Sequence, residues 1–377
     1  MKAVLALSLV LLCLLPTHAQ AAQVDITAPS AILMEKSTGE ILFEQDAHAV
    51  YEPASVTKIM TLLLVMEAMD AGTLSWDDVI TASPYACSMG GSQIWLKEGE
   101  QLTVREMVKA VAVASANDCA VALAEAIAGS ESAFVQRMNE RAKELGMEST
   151  VFYNCTGLPA QGHVSSAYDI ALMSRELILN HPQLREYTTI WMDTLRDGQF
   201  QLTNTNRLIY SYPGATGLKT GSTDAALYCL SATAERDGME LIAVVMHAAT
   251  PTDRFDSAAA LLNYGFANYT LTQVYPEQVL PPIPVLLGEQ DTVQPELAQD
   301  CTILTQQNQS GSITTQIHLP QQLSAPVEEG QTLGEMVVYL DGTEYQRVDL
   351  VASHEVARLT TWGIFQQLLD TLFFLPT

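Results

Sequence analysis

Three short motifs in fixed order constrain this chain more than any other feature: Ser55-x-x-Lys58, Ser115-x-Asn117 and Lys219-Thr220-Gly221. Sixty residues separate the two serines, and 104 separate Ser115 from Lys219. Segments so far apart act together only if the fold brings them to one place. Ser55 and Lys58 open a run of helix-forming, mostly apolar residues in EPASVTKIMT. Positions i and i+3 share a helix face, so the hydroxyl and the amine can meet on one turn. A neutral amine beside a hydroxyl is a general base for a nucleophile. Ser115-Ala116-Asn117 lies in AVASANDCAVALAEAI, where small side chains let backbone approach closely, and Gly217 and Gly221 bracket a β-like segment around Lys219.

The rest of the chain sets the frame. MKAVLALSLVLLCLLPTHAQAAQ has one cation (Lys2), an apolar run from Ala3 to Leu15 and the small-residue stretch Ala19-Gln20-Ala21. This is a secretory signal pattern, with cleavage expected after Ala21 and Cys13 leaving with the leader. Cys87, Cys119, Cys155, Cys229 and Cys301 remain, an odd and scattered set that reads as buried thiols and not as a disulfide framework. No Cys/His cluster has metal-ligand spacing, so neither a metal nor another cofactor is expected. The formal charge is −25, which opposes binding to nucleic acid.

Composition changes near Tyr275. Before it run alanine-rich amphipathic stretches, Val104 to Ala128 and Glu131 to Leu145, with strand-like pieces at Ala31 to Met34, Glu40 to Phe43, Ala226 to Ala234 and Glu240 to His247. After it come alternating segments such as SITTQIHL and MVVYLDGTEYQRVDLV, with Asp341-Gly342 as a hairpin signal. The expected division is a leader at 1–21, a helix-rich mixed α/β domain at 22–274, a small all-β domain at 275–352 and a tail at 353–377. Between Ala357 and Phe374, Trp362, Phe365, Leu369, Leu372 and Phe373 recur at helical spacing and form one apolar face. Such a helix can lie in a membrane interface, although its basic residues number only Arg358 apart from His354.

With the motifs in this order, the sequence resembles the low-molecular-mass penicillin-binding proteins that act as serine-type D-alanyl-D-alanine carboxypeptidases. The likeness extends through SAILMEKSTGEILFEQDAHAVYEPASVTKIMT, NCTGLPAQGHVSSAYDIA, GLKTGST and LLNYGFANY. It implies a penicillin-binding-protein/β-lactamase-like domain, with an antiparallel sheet between helical groups, the nucleophile at a helix start and Lys219-Thr220-Gly221 on an edge strand. It further implies a peptidoglycan stem peptide as substrate, β-lactam antibiotics as inhibitors, and a place on the outer face of the cytoplasmic membrane through the terminal helix.

Amide cleavage needs a nucleophile, a base, donors for the oxyanion and an acid for the leaving amine. Ser55 is the expected nucleophile. Lys58 is the expected base, kept neutral by burial and by the like charge of Lys219. Ser115 can relay a proton, and Asn117 can hold the substrate amide. The backbone N–H groups of Ser55 and Ser222 resemble the family's oxyanion hole. Thr220, Ser222 and Arg254 are similar to the set that docks the substrate's terminal carboxylate, beside Gly221. His163 and Asp169 are expected either to line the site wall or to be structural.

Three rivals deserve weight. A β-lactamase needs a carboxylate-activated water, and Glu176 in ELILN fits such a pattern, but it lies on an expected helix and should face outward. A non-catalytic wall-binding or penicillin-sensing module has no reason to keep all three motifs. A Ser-Lys esterase has little reason to keep Arg254.

Overall fold

The computed structural model describes residues 24–307 and 311–373, apart from the side chains of 367 and 370–373. The expected leader at 1–21 with Cys13, the end of the tail run at Phe374, and the side chains of Leu372 and Phe373 lie outside the described residues. The chain divides into two compact units. One comprises the described part of Met1–Met34 with Ile41–Ala234 and Leu241–Gly265; the other comprises Glu35–Glu40, Glu235–Glu240 and Phe266–Thr377.

The first unit is built on five strands: β1 (Ser30–Glu35), β2 (Ile41–Gln45), β3 (Ala215–Thr223), β4 (Leu227–Arg236) and β5 (Met239–Ala248). Their order across the sheet is β2-β1-β5-β4-β3, with β1–β2 and β3–β4 antiparallel. All six residues of β1 and nine of the ten of β5 are buried, so these strands are covered on both faces, and the stretches 31–34 and 241–246 within them are continuous apolar runs. The strand β3, carrying Lys219-Thr220-Gly221, is an edge strand, as the family likeness implies.

Helix α1 (Lys58–Asp70), KIMTLLLVMEAMD, is apolar almost all round and buried almost all round. A helix with that composition has to sit inside its unit. The stretch expected as one amphipathic run from Val104 to Ala128 is two helices, α2 (Val104–Ala114) and α3 (Asn117–Ala128). Thr103 and Glu106 form a reciprocal capping box that starts α2, and Ser115 ends it in the left-handed conformation at φ 63°. The periodicity missed this break because alanine-rich residues on both sides keep the helical pattern. The helices α4 (Glu131–Glu144), α5 (Ala167–Asn180) and α6 (Pro251–Asn268) complete the set that concerns the site.

The second unit is largely β. Pro295–Leu297, Thr343–Ala352, Thr332–Leu340 and Ile313–His318 form an antiparallel sheet in that order. Asp341 at φ 52° and Gly342 at φ 78° make the two-residue turn of its hairpin, the paired positive φ of a type I′ turn. Val274, Ile303, Met336, Val338, Val348 and Leu350 pack as one apolar cluster.

The tail helix α7 spans Thr361–Phe373, four residues later than the apolar recurrence placed it. Residues before it are held as extended bridges, Val356 with Val327 and Arg358 with Gly288, which prevents the helix from starting at Ala357. No helix among the described residues is long and apolar enough to cross a membrane.

Candidate active site

Ser55 lies in a 3-10 turn, Ala54–Thr57, that runs directly into α1 at Lys58. Two glycines let neighbouring backbone close on this turn. A Cβ on Gly221 would fall 2.8 Å from Pro53 O and 2.9 Å from the nitrogens of Ser55 and Val56. A Cβ on Gly157, at φ +80°, would fall 1.8 Å from Ala54 O. Only glycine allows β3 on one side and the 154–158 loop on the other to approach so closely.

Lys58 is completely buried, with Nζ 2.9 Å from Ser55 Oγ and donating to Thr156 O at 2.7 Å. Burial pushes its amine from 10.5 down to about 7, against the pull of Cys155 and of Asp118. The like-charge contribution expected from Lys219 falls elsewhere. It is Lys219 whose amine is driven well below the usual lysine range, first by burial and then by Lys58 and Arg254. Lys219 is 1% exposed and donates to Thr220 O at 3.1 Å; Thr220 Oγ1 in turn donates to Thr205 Oγ1 at 2.7 Å.

Arg254, in the first turn of α6, is 7% exposed and not the surface arginine that its neighbours Asp253 and Asp256 could have suggested. Its Nη1 donates to Gly221 O at 3.3 Å and Cys229 O at 3.4 Å, and its guanidinium sits 4.4 Å from the ring centroid of Phe255. Burial pushes it down to about 10, so it remains charged at neutral pH. Among the described residues, Lys58, Lys219 and Arg254 form no ion pair with a carboxylate. Burial disfavours charge on the two lysine amines, whereas Arg254 keeps its charge, and a buried cation without an anion is costly. In a chain of net charge −25, that arrangement marks a place for a substrate anion.

The second motif is tied to the third: Val113 O, two residues before Ser115, accepts from the N–H of Thr205, which binds Thr220. Ser115 Oγ, Asn117 Oδ1 and Arg254 Nε are buried side-chain atoms with no hydrogen-bond partner among the described residues. Asn117 is otherwise fixed: its Nδ2 donates to Gly90 O at 2.6 Å and its backbone N–H to Ser92 O at 2.7 Å. The break between α2 and α3 puts Ser115 where a helical residue could not stand. Ser222 follows Gly221 on β3 and is exposed.

His163 and Asp169 are both held by internal hydrogen bonds. His163 Nδ1 accepts from Tyr153 N–H at 3.2 Å, which leaves the proton on Nε2 to donate to Thr57 Oγ1 at 2.9 Å; burial pushes the ring down to about 4. Asp169 accepts from Ser149 N–H and Thr150 Oγ1. Glu176 does not face solvent as expected but is half-buried in an ion pair with Arg141, which also holds Glu67 and Glu144. Residues that sequence reasoning passed over include Thr156, Gly157, Thr205 and Asp118. Asp118 accepts from the N–H groups of Ile94 and Leu96. The signal for Gly157 was available in the NCTG stretch, where a glycine follows Asn154, whose side chain caps the turn.

Residues 17–250 match the D-alanyl-D-alanine carboxypeptidase family, and residues 269–358 match the C-terminal domain of penicillin-binding protein 5. The D-alanyl-D-alanine carboxypeptidase DacF of Bacillus subtilis is 42% identical over 336 residues, covering 88% of this chain and 86% of that protein. DacC of Escherichia coli is 33% identical, covering 89% and 87%. Among solved structures, penicillin binding protein 5 from Haemophilus influenzae superposes with a TM-score of 0.74 at 29% identity, over 89% of this chain and 98% of that one. Penicillin-Binding Protein D2 from Listeria monocytogenes, in its ampicillin-bound form, gives 0.60 at 36% identity, over 65% and 99%. By the family match over 17–250 and relatives at up to 42% identity across most of its length, this chain belongs to the low-molecular-mass penicillin-binding proteins of the serine D-alanyl-D-alanine carboxypeptidase family.

Proposed function

We propose that this protein removes the terminal D-alanine from peptidoglycan stem peptides ending in D-Ala-D-Ala, through an acyl-enzyme on Ser55. The observation that carries the reading is a serine hydroxyl 2.9 Å from a fully buried lysine amine, beside buried Lys219 and Arg254 that no described carboxylate neutralises. At neutral pH a substantial fraction of Lys58 is the free amine and can take the Ser55 proton. Ser55 Oγ then attacks the carbonyl carbon of the penultimate residue. The developing oxyanion is held by the N–H groups of Ser55 and Ser222. Asn117 holds the substrate amide, and Ser115 relays the proton to the departing alanine nitrogen. Lys219, Thr220, Ser222 and Arg254 hold the terminal carboxylate, with Gly221 giving the approach. Water then cleaves the ester and frees Ser55. A β-lactam presents the same carbonyl and carboxylate, and its ring-opened ester blocks the site. Glu176 is committed to Arg141, which disfavours a β-lactamase using it to activate water.

The enzyme works outside the cytoplasm, where its substrate is. The division into a leader at 1–21, a catalytic segment at 22–274, a β segment at 275–352 and a membrane-resting tail at 353–377 belongs to the same proposal. Mass spectrometry of a D-Ala-D-Ala-terminated pentapeptide after incubation with the protein tests the reaction. Loss of one alanine is expected. An unchanged peptide, or internal cleavage, rejects it.

A further inference from the structure

Beyond the catalytic residues, a cavity of about 380 Å³ is lined by Ile94, Trp95, Lys97, Glu100, Arg196 and Phe200. Trp95 is 54% exposed and sits in the left-handed region at φ 58°. Its neighbours explain how that conformation is kept. The N–H groups of Ile94 and Leu96, on either side of it, both donate to the buried carboxylate of Asp118. A bulky residue in this region is strained, and such strain persists only where surrounding bonds over-determine it. Its effect here is to hold a large indole out toward solvent.

The opposite wall is equally fixed. Arg196, also in the left-handed region at φ 53°, donates through Nη1 to Ile94 O at 2.8 Å and pairs through Nε with Glu100 at 2.7 Å. Its guanidinium lies 5.3 Å from the Phe200 ring centroid. One side chain therefore ties the hairpin of Met192–Leu195 and Phe200–Thr203 to the Trp95 segment.

Both walls connect through short stretches of chain to residues of the proposed site. Trp95 is three residues from Ser92, whose carbonyl accepts from Asn117 N–H, so chain length keeps their α-carbons within about 11 Å. Phe200 begins a strand that ends two residues before Thr205, which binds Thr220 of the third motif. A substrate that is seated between Asn117 and Thr220 and extends beyond them has this aromatic, rigid, partly charged hollow within a few residues' reach.

We propose that this hollow is a glycan subsite: Trp95 stacks on the apolar face of an amino-sugar ring of the peptidoglycan strand, while the exposed Lys97 at the rim bonds its polar substituents and Glu100, held by Arg196 and the Lys97 N–H, fixes the rim. An apolar floor with a few ionised groups is what a pyranose, apolar on its faces and polar round its edge, requires. A purely aliphatic peptide side chain would have no use for that rim. The inference rests on the carboxypeptidase reading and extends it to the larger substrate.

The test compares D-alanine release from a free D-Ala-D-Ala pentapeptide and from the same pentapeptide joined to its disaccharide, with acylation by a penicillin as a site control. Trp95→Ala is expected to lower kcat/KM for the glycosylated substrate by about tenfold, mainly through KM, and to leave the free peptide and the penicillin within about twofold. Trp95→Phe should restore most of the loss. Equal losses on both peptides, or no loss on either, overturn the subsite. If the unsubstituted enzyme releases alanine from neither peptide, it is the carboxypeptidase reading that fails.

Discussion

At the scale of single residues, the account depends on a lysine that is neutral when it acts. Burial places the Lys58 amine at about 7, so the reactive form is lost as pH falls through that value. Acylation by an uncharged ester should fall by about tenfold per pH unit well below it. Lys58→Arg, which cannot shed its proton, should lower the rate by about 10²- to 10⁴-fold. Rates measured from pH 5 to 8 check both, and a flat profile or an active arginine variant would remove Lys58 as the base. The pairing of Ser55 with Lys58 was legible because it needs only helical geometry. The burial of Arg254 was not, since Asp253 and Asp256 beside it are what an exposed arginine also has. Nor could sequence assign the like-charge effect between Lys58 and Lys219, which depends on depth and not on order along the chain.

At the scale of elements, the site is a meeting of a 3-10 turn, a helix break and an edge strand, and glycines set how closely they approach. Gly221→Ala would drive a methyl into the backbone of Pro53, Ser55 and Val56, none of which can move without displacing Ser55. A destabilisation of about 1–3 kcal/mol and loss of penicillin acylation are expected, whereas Gly90→Ala, with nothing within 4 Å, should change stability by about 0.5 kcal/mol at most. Calorimetric midpoints and acylation rates of the two variants provide the check, and wild-type behaviour of Gly221→Ala would contradict the packing account. Alternation and turn chemistry made the Asp341-Gly342 hairpin legible, because two positive φ angles demand such residues. The break at Ser115 was hidden, because helix propensity continues through it and the left-handed turn is imposed by tertiary packing.

At the scale of the whole molecule, the tail and the net charge oppose one another. Trp362, Phe365 and Leu368 of α7 are exposed by 69%, 50% and 63%, while α7 contains no basic residue and the chain carries −25. On the proposal that the tail rests on a membrane, adsorption depends on buried apolar area, with little attraction to anionic headgroups. Val356 is buried in the β unit's apolar cluster and pairs with Val327, so a clean truncation starts at Thr361 and spares it. Deleting 361–377 should release the protein from liposomes with peptidase activity intact, and binding by the full chain should be almost independent of salt. Sedimentation at two salt concentrations checks this, and strong salt-sensitive binding would contradict it. Composition made the change to β structure near Tyr275 visible, whereas the start of α7 depended on bridges between distant residues.

Whether Ser55 is the nucleophile is decided by intact-mass spectrometry with peptide mapping after exposure to a penicillin. One covalent penicillin is expected on the peptide containing Ser55, and none on a folded Ser55→Ala variant. An adduct mapped elsewhere, or formed on that variant at the wild-type rate, would contradict the assignment.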